Sequence, residues 1–174
     1  MDLQIKPFIS AEKIQARLNE LGQELSTKFK GQHVVAICVL KGSFMFYSDL
    51  IRKIDTDISC EFFGVSSYHG TSSSGEVKVT LDLTHPVENK HVLLVEDIVD
   101  TGLTMNYLKN SILSRKPASL TTVALLEKPD ALKVPCKLDY VGFKISNEFV
   151  VGYGLDYEGF YRNLPYIGQV QNFQ

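Results

Sequence analysis

Residues 92–104 read Val-Leu-Leu-Val-Glu-Asp-Ile-Val-Asp-Thr-Gly-Leu-Thr, an apolar run that breaks into three carboxylates and ends in a hydroxyl-glycine-hydroxyl turn. Val92 to Val95 suit a strand buried on both faces, and the polar residues after it fall where open α/β sheets bind ligands. Beyond Gly102, Met105, Leu108 and Ile112 recur at helical spacing, with Pro117 shortly past the end. The turn between strand and helix therefore offers backbone N–H groups at a helix N-terminus, beside the hydroxyls of Thr101 and Thr104, as a cup for phosphate. Glu96 and Asp97, one step upstream, cannot attract a phosphate; sugar hydroxyls or a hard cation with oxygen ligands are their natural partners.

The rest of the chain supplies the elements that such a site needs. From Ser10, Ile14, Leu18, Leu21 and Leu25 repeat at spacings of four and three, the pattern of an amphipathic helix packed on a sheet. Val34 to Leu40 is apolar throughout, as in a buried parallel strand, and Ser43 is placed to cap a helix carrying Phe46, Leu50 and Ile54. Ile58 to Val65 and Val77 to Leu83 read as two strands joined by a small, polar segment, residues 66–75, too long for a tight hairpin and expected to be mobile. Leu120 to Leu126 and Tyr140 to Ile145 read as two more. Alternating strands and helices predict an α/β fold, a mainly parallel sheet flanked by helices on both faces. Lys41-Gly42, Glu96-Asp97 and Lys128 each follow a central strand, so all fall at one edge of that sheet.

Composition excludes several function classes. A chain of 174 residues with 44% hydrophobic content fits one domain, residues 1–174, with a real core and not a disordered polymer. A net charge of −2 gives no electrostatic reason for nucleic-acid or membrane binding. Cys38, Cys60 and Cys136 lack paired spacing and read as reduced, buried thiols, and the opening Met-Asp-Leu-Gln-Ile-Lys-Pro has no apolar leader core, so a cytoplasmic location is expected. The histidines, at 33, 69, 85 and 91, show no metal-ligand spacing and read as structural or exposed.

The stretch around Glu96 to Thr104 resembles the phosphoribosyl-pyrophosphate signature of the type I phosphoribosyltransferases. Three further pieces, Val39-Leu40-Lys41-Gly42-Ser43, Leu126-Glu127-Lys128-Pro129 and Glu148 to Tyr157 with Arg162 following, narrow the resemblance to the hypoxanthine-guanine branch. They occur in the family's order from about residue 34 to the end. The resemblance implies a sheet fold of that family with a mobile hairpin loop and a small hood from the chain ends. It implies a transferase of purine salvage, moving the 5-phosphoribosyl group from phosphoribosyl pyrophosphate to hypoxanthine or guanine, with Mg²⁺ as cofactor. Relatives are often dimers or tetramers, which implies a homodimer or homotetramer.

The resemblance also distributes the parts. The 5′-phosphate falls to Thr101, Gly102, Leu103 and Thr104, and the ribose hydroxyls to Glu96 and Asp97, directly or through the metal. Pyrophosphate falls to Lys41, Gly42, Ser43, Arg162 and Mg²⁺, with Asp156 as a further metal contact. Asp100 is the carboxylate assigned to take the proton from the purine imidazole edge. Lys128 is assigned to the 6-oxo group, Phe149 to stacking on the base, and Val150 to the pocket through its backbone. Ser67 and Tyr68 resemble part of the family's closing loop, on which Lys78 also falls. Members often carry a cis peptide between the Leu and Lys of the 40–41 pair. Leu103 stands where several relatives have a basic residue, which leaves the backbone cup unaffected.

Each piece alone has a plainer reading. Lys41-Gly42 is an ordinary turn, Lys128 a solvated strand end, Phe149 core, and Tyr153, Tyr157, Phe160, Tyr161 and Tyr166 a cover for the core. Three rival functions also share parts of the pattern. Asp100-Thr101-Gly102 matches the short motif of aspartic proteases, but those pair two such motifs in an all-β fold and here a helix follows. Regulators on this fold need a basic face, and the chain has no lysine-arginine cluster. A phosphoacceptor signalling domain places its acidic pair after the first strand, whereas Glu96-Asp97 comes late.

Overall fold

The computed structural model describes residues 3–67 and 77–171. β1 (Ile5–Ile9) leads into α1 (Ala11–Lys28), followed by β2 (His33–Leu40), α2 (Phe44–Ile51), β3 (Asp57–Ser67) and β4 (Val77–Leu81). Then come β5 (His91–Val99), α3 (Leu103–Leu113), β6 (Ser119–Glu127), a 3-10 turn at Pro129–Ala131, β7 (Tyr140–Lys144), β8 (Val150–Val151) and β9 (Ile167–Val170).

Six strands form the main sheet in the order β4-β3-β2-β5-β6-β7. Only the β3–β4 pair is antiparallel; the other four are parallel. The chain passes from β2 outward to β3, then returns to lay β5 on the other side of β2, with Cys38 opposite Val95. That reversal is a topological switch point, where the connections leaving two neighbouring parallel strands diverge and open a crevice at their carboxyl ends.

Alternation along the central strands feeds a core on each face. Ala36, Cys38, Leu93 and Val95 pack with Ile14, Leu18, Leu21 and Leu25 of α1 and Phe46 and Leu50 of α2. Val35, Ile37, Val92 and Leu94 pack with Met105, Leu108 and Ile112 of α3. The predicted mainly parallel sheet with helices on both faces is the observed one. Ser10 N-caps α1, its hydroxyl accepting from the Lys13 N–H at 3.3 Å.

The hood expected from the chain ends is a three-stranded antiparallel sheet, β1-β9-β8. Ile9, Val150 and Ile167 join the α1/α2-side core, so the hood is packed onto the main sheet through shared apolar residues.

Four local expectations are corrected. β5 continues past the apolar run through Glu96 and Asp97 to Val99, because Glu96, Ile98 and Val99 pair with Ala124, Leu126 and Glu127 of β6. Ser43 lies at the start of α2 but caps nothing with its side chain; the buried hydroxyl turns back to donate to the Val39 carbonyl at 2.6 Å. The helix it opens stops at Ile51, leaving Ile54 buried just beyond. Cys60, expected inside, is exposed on β3, while Cys38 and Cys136 are buried and all three are free. Burial raises the Cys38 thiol to about 11, which keeps it protonated.

Candidate active site

β2 and β5 end side by side at the switch point, and the cleft there, about 440 Å³, brings together Lys41, Gly42, Glu96, Asp97, Thr104, Asp156 and Arg162. Leu40–Lys41 is a cis peptide. A Cβ built on Gly42 would lie 1.5 Å from Asp97 Oδ2, so glycine is what lets this loop reach the acidic pair. Ile98 and Ser66 also line the cleft, and neither was singled out from sequence because an isoleucine or serine in a strand carries no chemical signal by itself.

Glu96 is 6% exposed. Burial first, and the neighbouring Asp97 charge second, push its carboxyl well above the usual carboxylate range. Asp97 is raised as well: burial outweighs hydrogen bonds and the Arg162 charge, which pull the other way. Glu96 Oε1 accepts from the Asp97 N–H at 2.9 Å, and Asp97 Oδ1 from the Ile98 N–H at 2.6 Å. Two carboxyls held in a strand end without a cation are costly to ionise, and hydroxyl donors or a cation would relieve that cost.

The turn read from sequence as a cup for phosphate joins β5 to α3. Gly102 takes φ +82° and opens α3, its carbonyl accepting the Asn106 N–H at 3.0 Å. First-turn N–H groups lack intrahelical partners and point out of the helix end. Behind the cup runs a strap that sequence reasoning missed. The Thr101 carbonyl accepts from Lys133 N–H at 3.0 Å, Asn106 Nδ2 donates to the Pro135 carbonyl at 2.9 Å, and Lys109 Nζ to that of Lys137 at 3.0 Å. A Cβ on Gly102 would come within 2.9 Å of Cys136 Cβ, so the glycine serves both the positive φ and this close packing.

Asp100, Lys128, Phe149 and Val150 lie outside the residues lining that cleft, and of these four Asp100 and Lys128 stand together. The Lys128 N–H binds the Val99 carbonyl at 2.9 Å, which fixes the ends of β5 and β6, and Lys128 Nζ stands 3.8 Å from Asp100 Oδ2. Phe149 meets Tyr157 edge to face with centroids 5.9 Å apart, and Val150 is buried in β8. Asp156 has both oxygens engaged, Oδ1 with Arg162 Nη2 at 2.8 Å and Oδ2 with the Gly159 N–H at 2.7 Å. Leu103 is 43% exposed at the start of α3, free of the core. Ser67 ends β3; Tyr68 and His69 lie outside the described residues, and Lys78 sits exposed in β4 opposite Ser66. His33 and His85 are exposed, while His91 is half-buried against the Ser119 hydroxyl at 2.8 Å.

Strand order, acidic pair at the switch point and glycine-turned helix terminus together define the type I phosphoribosyltransferase fold. The chain belongs to the phosphoribosyltransferase family, matching the phosphoribosyl transferase domain over residues 9–158. It is 50% identical over 165 residues to a hypoxanthine-guanine phosphoribosyltransferase of Staphylococcus aureus, covering 94% of this chain and 92% of that protein. It is 49% identical over 164 residues to the bifunctional protein TilS/HprT of Listeria monocytogenes, covering 94% of this chain but only about a quarter, 25%, of that longer protein. A hypoxanthine-guanine phosphoribosyltransferase crystal structure from Bacillus anthracis matches with a TM-score of 0.92 and 42% identity, covering 98% of this chain and 100% of the other. No helix among the described residues is long and apolar enough to cross a membrane.

Proposed function

We propose that residues 1–174 act as one phosphoribosyltransferase domain that transfers the 5-phosphoribosyl group of phosphoribosyl pyrophosphate to hypoxanthine or guanine, giving IMP or GMP and pyrophosphate. The observation that carries this reading is the pairing of two sites at one sheet edge. A cleft holding Lys41, Gly42, Glu96, Asp97 and Arg162 suits an anionic, hydroxyl-bearing donor, and beside it Asp100 and Lys128 form a base-and-cation pair suited to a purine.

In this reading the cup from Thr101 to Thr104 binds the 5′-phosphate through backbone N–H groups and hydroxyls. Glu96 and Asp97 hold the ribose hydroxyls. Lys41, the Gly42 backbone and Arg162 face the pyrophosphate, whose departure leaves cation-like charge at the anomeric carbon. Asp100 takes the imidazole proton as the purine nitrogen attacks, a role typically worth about 100- to 10,000-fold. Lys128 donates to the 6-oxo group, which adenine lacks. Phe149 stacks on the ring and the Val150 backbone reads its 2-position, so side chains here do not separate hypoxanthine, guanine and xanthine. Ser67 and Tyr68 would help shut the site against water.

Mg²⁺ fits the donor set. Glu96 offers a buried and Asp97 a half-buried oxygen ligand, and among the described residues no three His, Cys, Asp or Glu converge into a cage made of protein alone. Magnesium held by one or two carboxylates plus substrate phosphates has that pattern, and bound there it would offset charge on the leaving pyrophosphate. Asp156 keeps a lone pair on each oxygen beside its bonds to Arg162 and the Gly159 N–H, and could join it as a further ligand. We further propose a cytoplasmic homo-oligomer, supported by three free cysteines and by the habit of the family.

The test is a spectrophotometric assay with phosphoribosyl pyrophosphate and Mg²⁺, offering hypoxanthine, guanine, xanthine and adenine separately. Nucleotide from the first two and none from adenine supports the reading. No turnover with any base, despite donor binding, would replace it with a ligand-sensing regulator.

A further inference from the structure

Three consecutive residues, Gly152, Tyr153 and Gly154, hold φ values of +100°, +50° and +100°. Two are glycines, for which the left-handed region is cheap; Tyr153 is not, and a bulky side chain stays there only when its surroundings over-determine it. Its ring is buried, 6% exposed, and its hydroxyl donates to Asp49 Oδ2 at 2.5 Å across 104 residues of sequence. Asp49 lies in α2, is three-quarters buried at its side chain, and also pairs with Arg52.

The bond joins the two halves of the donor cleft. α2 follows the Lys41-Gly42 loop directly and is tied to β2 by the Tyr47 hydroxyl, which donates to the Ala36 carbonyl at 2.9 Å. On the other side, Gly154 carries the segment that ends in the cleft: its N–H donates to the Arg162 carbonyl at 2.9 Å, and its own carbonyl accepts from Arg162 Nη1 at 2.6 Å. Its backbone lies so close to the loop that a Cβ on Gly154 would stand 2.2 Å from the Gly42 carbonyl oxygen. The Tyr153 hydroxyl therefore acts where a small shift of the 152–162 segment would move Arg162 and Asp156 relative to Lys41 and Gly42.

We propose that Tyr153 and Asp49 are a positioning pair for the pyrophosphate end of the donor site, touching no substrate and acting through the register of Gly154 against Gly42. The proposal rests on the phosphoribosyl-transfer reading above and deepens it. It makes the donor subsite the dependent one: Asp100 and Lys128 are held where β5 and β6 end, by the Lys128 N–H to Val99 carbonyl bond, and of the purine-side residues Phe149 meets the 152–162 segment through the edge of Tyr157.

The experiment compares wild type with Tyr153→Phe, Asp49→Leu and Asp49→Asn, measuring separate KM values for phosphoribosyl pyrophosphate and hypoxanthine, donor binding by calorimetry, and Tm. Tyr153→Phe removes one oxygen and keeps the ring. It should raise donor KM and Kd by about tenfold, the scale of one hydrogen bond to a charged group, while hypoxanthine KM stays within about twofold. Asp49→Leu should reproduce that split, and Asp49→Asn, whose amide oxygen still accepts from the tyrosine, should return donor KM to within about twofold of wild type. A parallel rise in both KM values, or an unchanged donor KM in Tyr153→Phe, would overturn the pair while leaving the reaction standing. A wild-type protein that turns over no purine would remove the reaction itself, and the pair with it.

Discussion

The ammonium of Lys128 stands 3.8 Å from Oδ2 of Asp100, with the lysine side chain 11% exposed and the aspartate 52%. The two residues directly follow adjacent parallel strands, and the Lys128 N–H to Val99 carbonyl bond sets their separation through the backbone. A 6-oxopurine offers a 6-oxo acceptor and an imidazole N–H on neighbouring edges. A cation and a carboxylate spaced by one strand step can serve both, and each role can be removed separately.

Asp100→Asn keeps size and shape but removes the proton acceptor. Under the proposed roles, phosphoribosyl-pyrophosphate affinity is unchanged and kcat with hypoxanthine falls by roughly 100- to 10,000-fold. Steady-state kinetics with calorimetry of the donor checks this, and turnover within tenfold of wild type would remove Asp100 as the base.

Lys128→Ala removes the 6-oxo donor. Hypoxanthine and guanine KM should rise by about tenfold or more, as expected when a ligand's polar group loses its charged partner, with donor Kd held within about twofold. Equal loss on both sides would assign Lys128 a structural role at the end of β6.

At Gly42 the prediction comes from space alone. Asp97 Oδ2 occupies the position of the missing Cβ, 1.5 Å away. Gly42→Ala must displace either the loop or the carboxylate, and a shift of that size costs on the order of 100-fold in donor kcat/KM. Far-ultraviolet circular dichroism should be unchanged; a variant with normal donor kinetics would show that loop and carboxylate adjust freely.

How much of this was legible in the sequence follows from the range of the forces involved. The buried strands announced themselves because Val34 to Leu40 and Val92 to Val95 are apolar throughout, and α3 because Met105, Leu108 and Ile112 share a face. The turn into α3 is local, so the strand-to-helix passage at Thr101 to Thr104 could be read directly. Strand order could not be, since nothing in β2 or β5 states that β3 lies on one side and β5 on the other. β5 ran past its apolar run because pairing with β6 overrode polarity. The hood followed from family resemblance alone, since β1 reads Ile-Lys-Pro-Phe-Ile, short and mostly exposed. Ser43 looked like a cap until burial turned its hydroxyl backward, and the Tyr153–Asp49 bond joins residues whose kinship exists only in three dimensions.

Away from the site, Glu61 offers a test of stability. It is 5% exposed on β3, accepts from the Thr84 N–H at 3.0 Å and from the Thr84 hydroxyl, and lies 2.6 Å from His85 Nδ1. Burial alone would raise its carboxyl, but these partners outweigh burial and hold it below the usual value of 4.5. A lowered folded-state pKa gives stability that is present above the unfolded value and lost as pH falls through the folded one. Glu61→Gln should therefore cost about 1–3 kcal/mol at neutral pH, roughly 2–10 °C in Tm, with the deficit shrinking below about pH 4. Thermal denaturation at the two pH values decides it, and a deficit of the same size at both would exclude the carboxylate charge as its source.

The acidic pair in the cleft has the opposite sign. Burial raises Glu96 well above the usual range and raises Asp97 too. A carboxyl whose folded-state pKa exceeds its unfolded one binds protons on folding, so stability falls as pH climbs from the unfolded value through the raised folded one. Without ligands, Glu96→Gln should flatten that decline and raise Tm at about pH 8 by roughly 2–4 °C, the equivalent of about 1 kcal/mol in a chain of this size. The same substitution should weaken donor binding in the presence of Mg²⁺, because the amide cannot replace a carboxylate oxygen toward a hard cation. Differential scanning fluorimetry and calorimetry on one preparation give both numbers. A variant that loses stability at every pH would mean the buried pair supports the fold; a gain in stability joined to a loss of donor affinity is what a site that depends on its ligand to complete its charge balance must show.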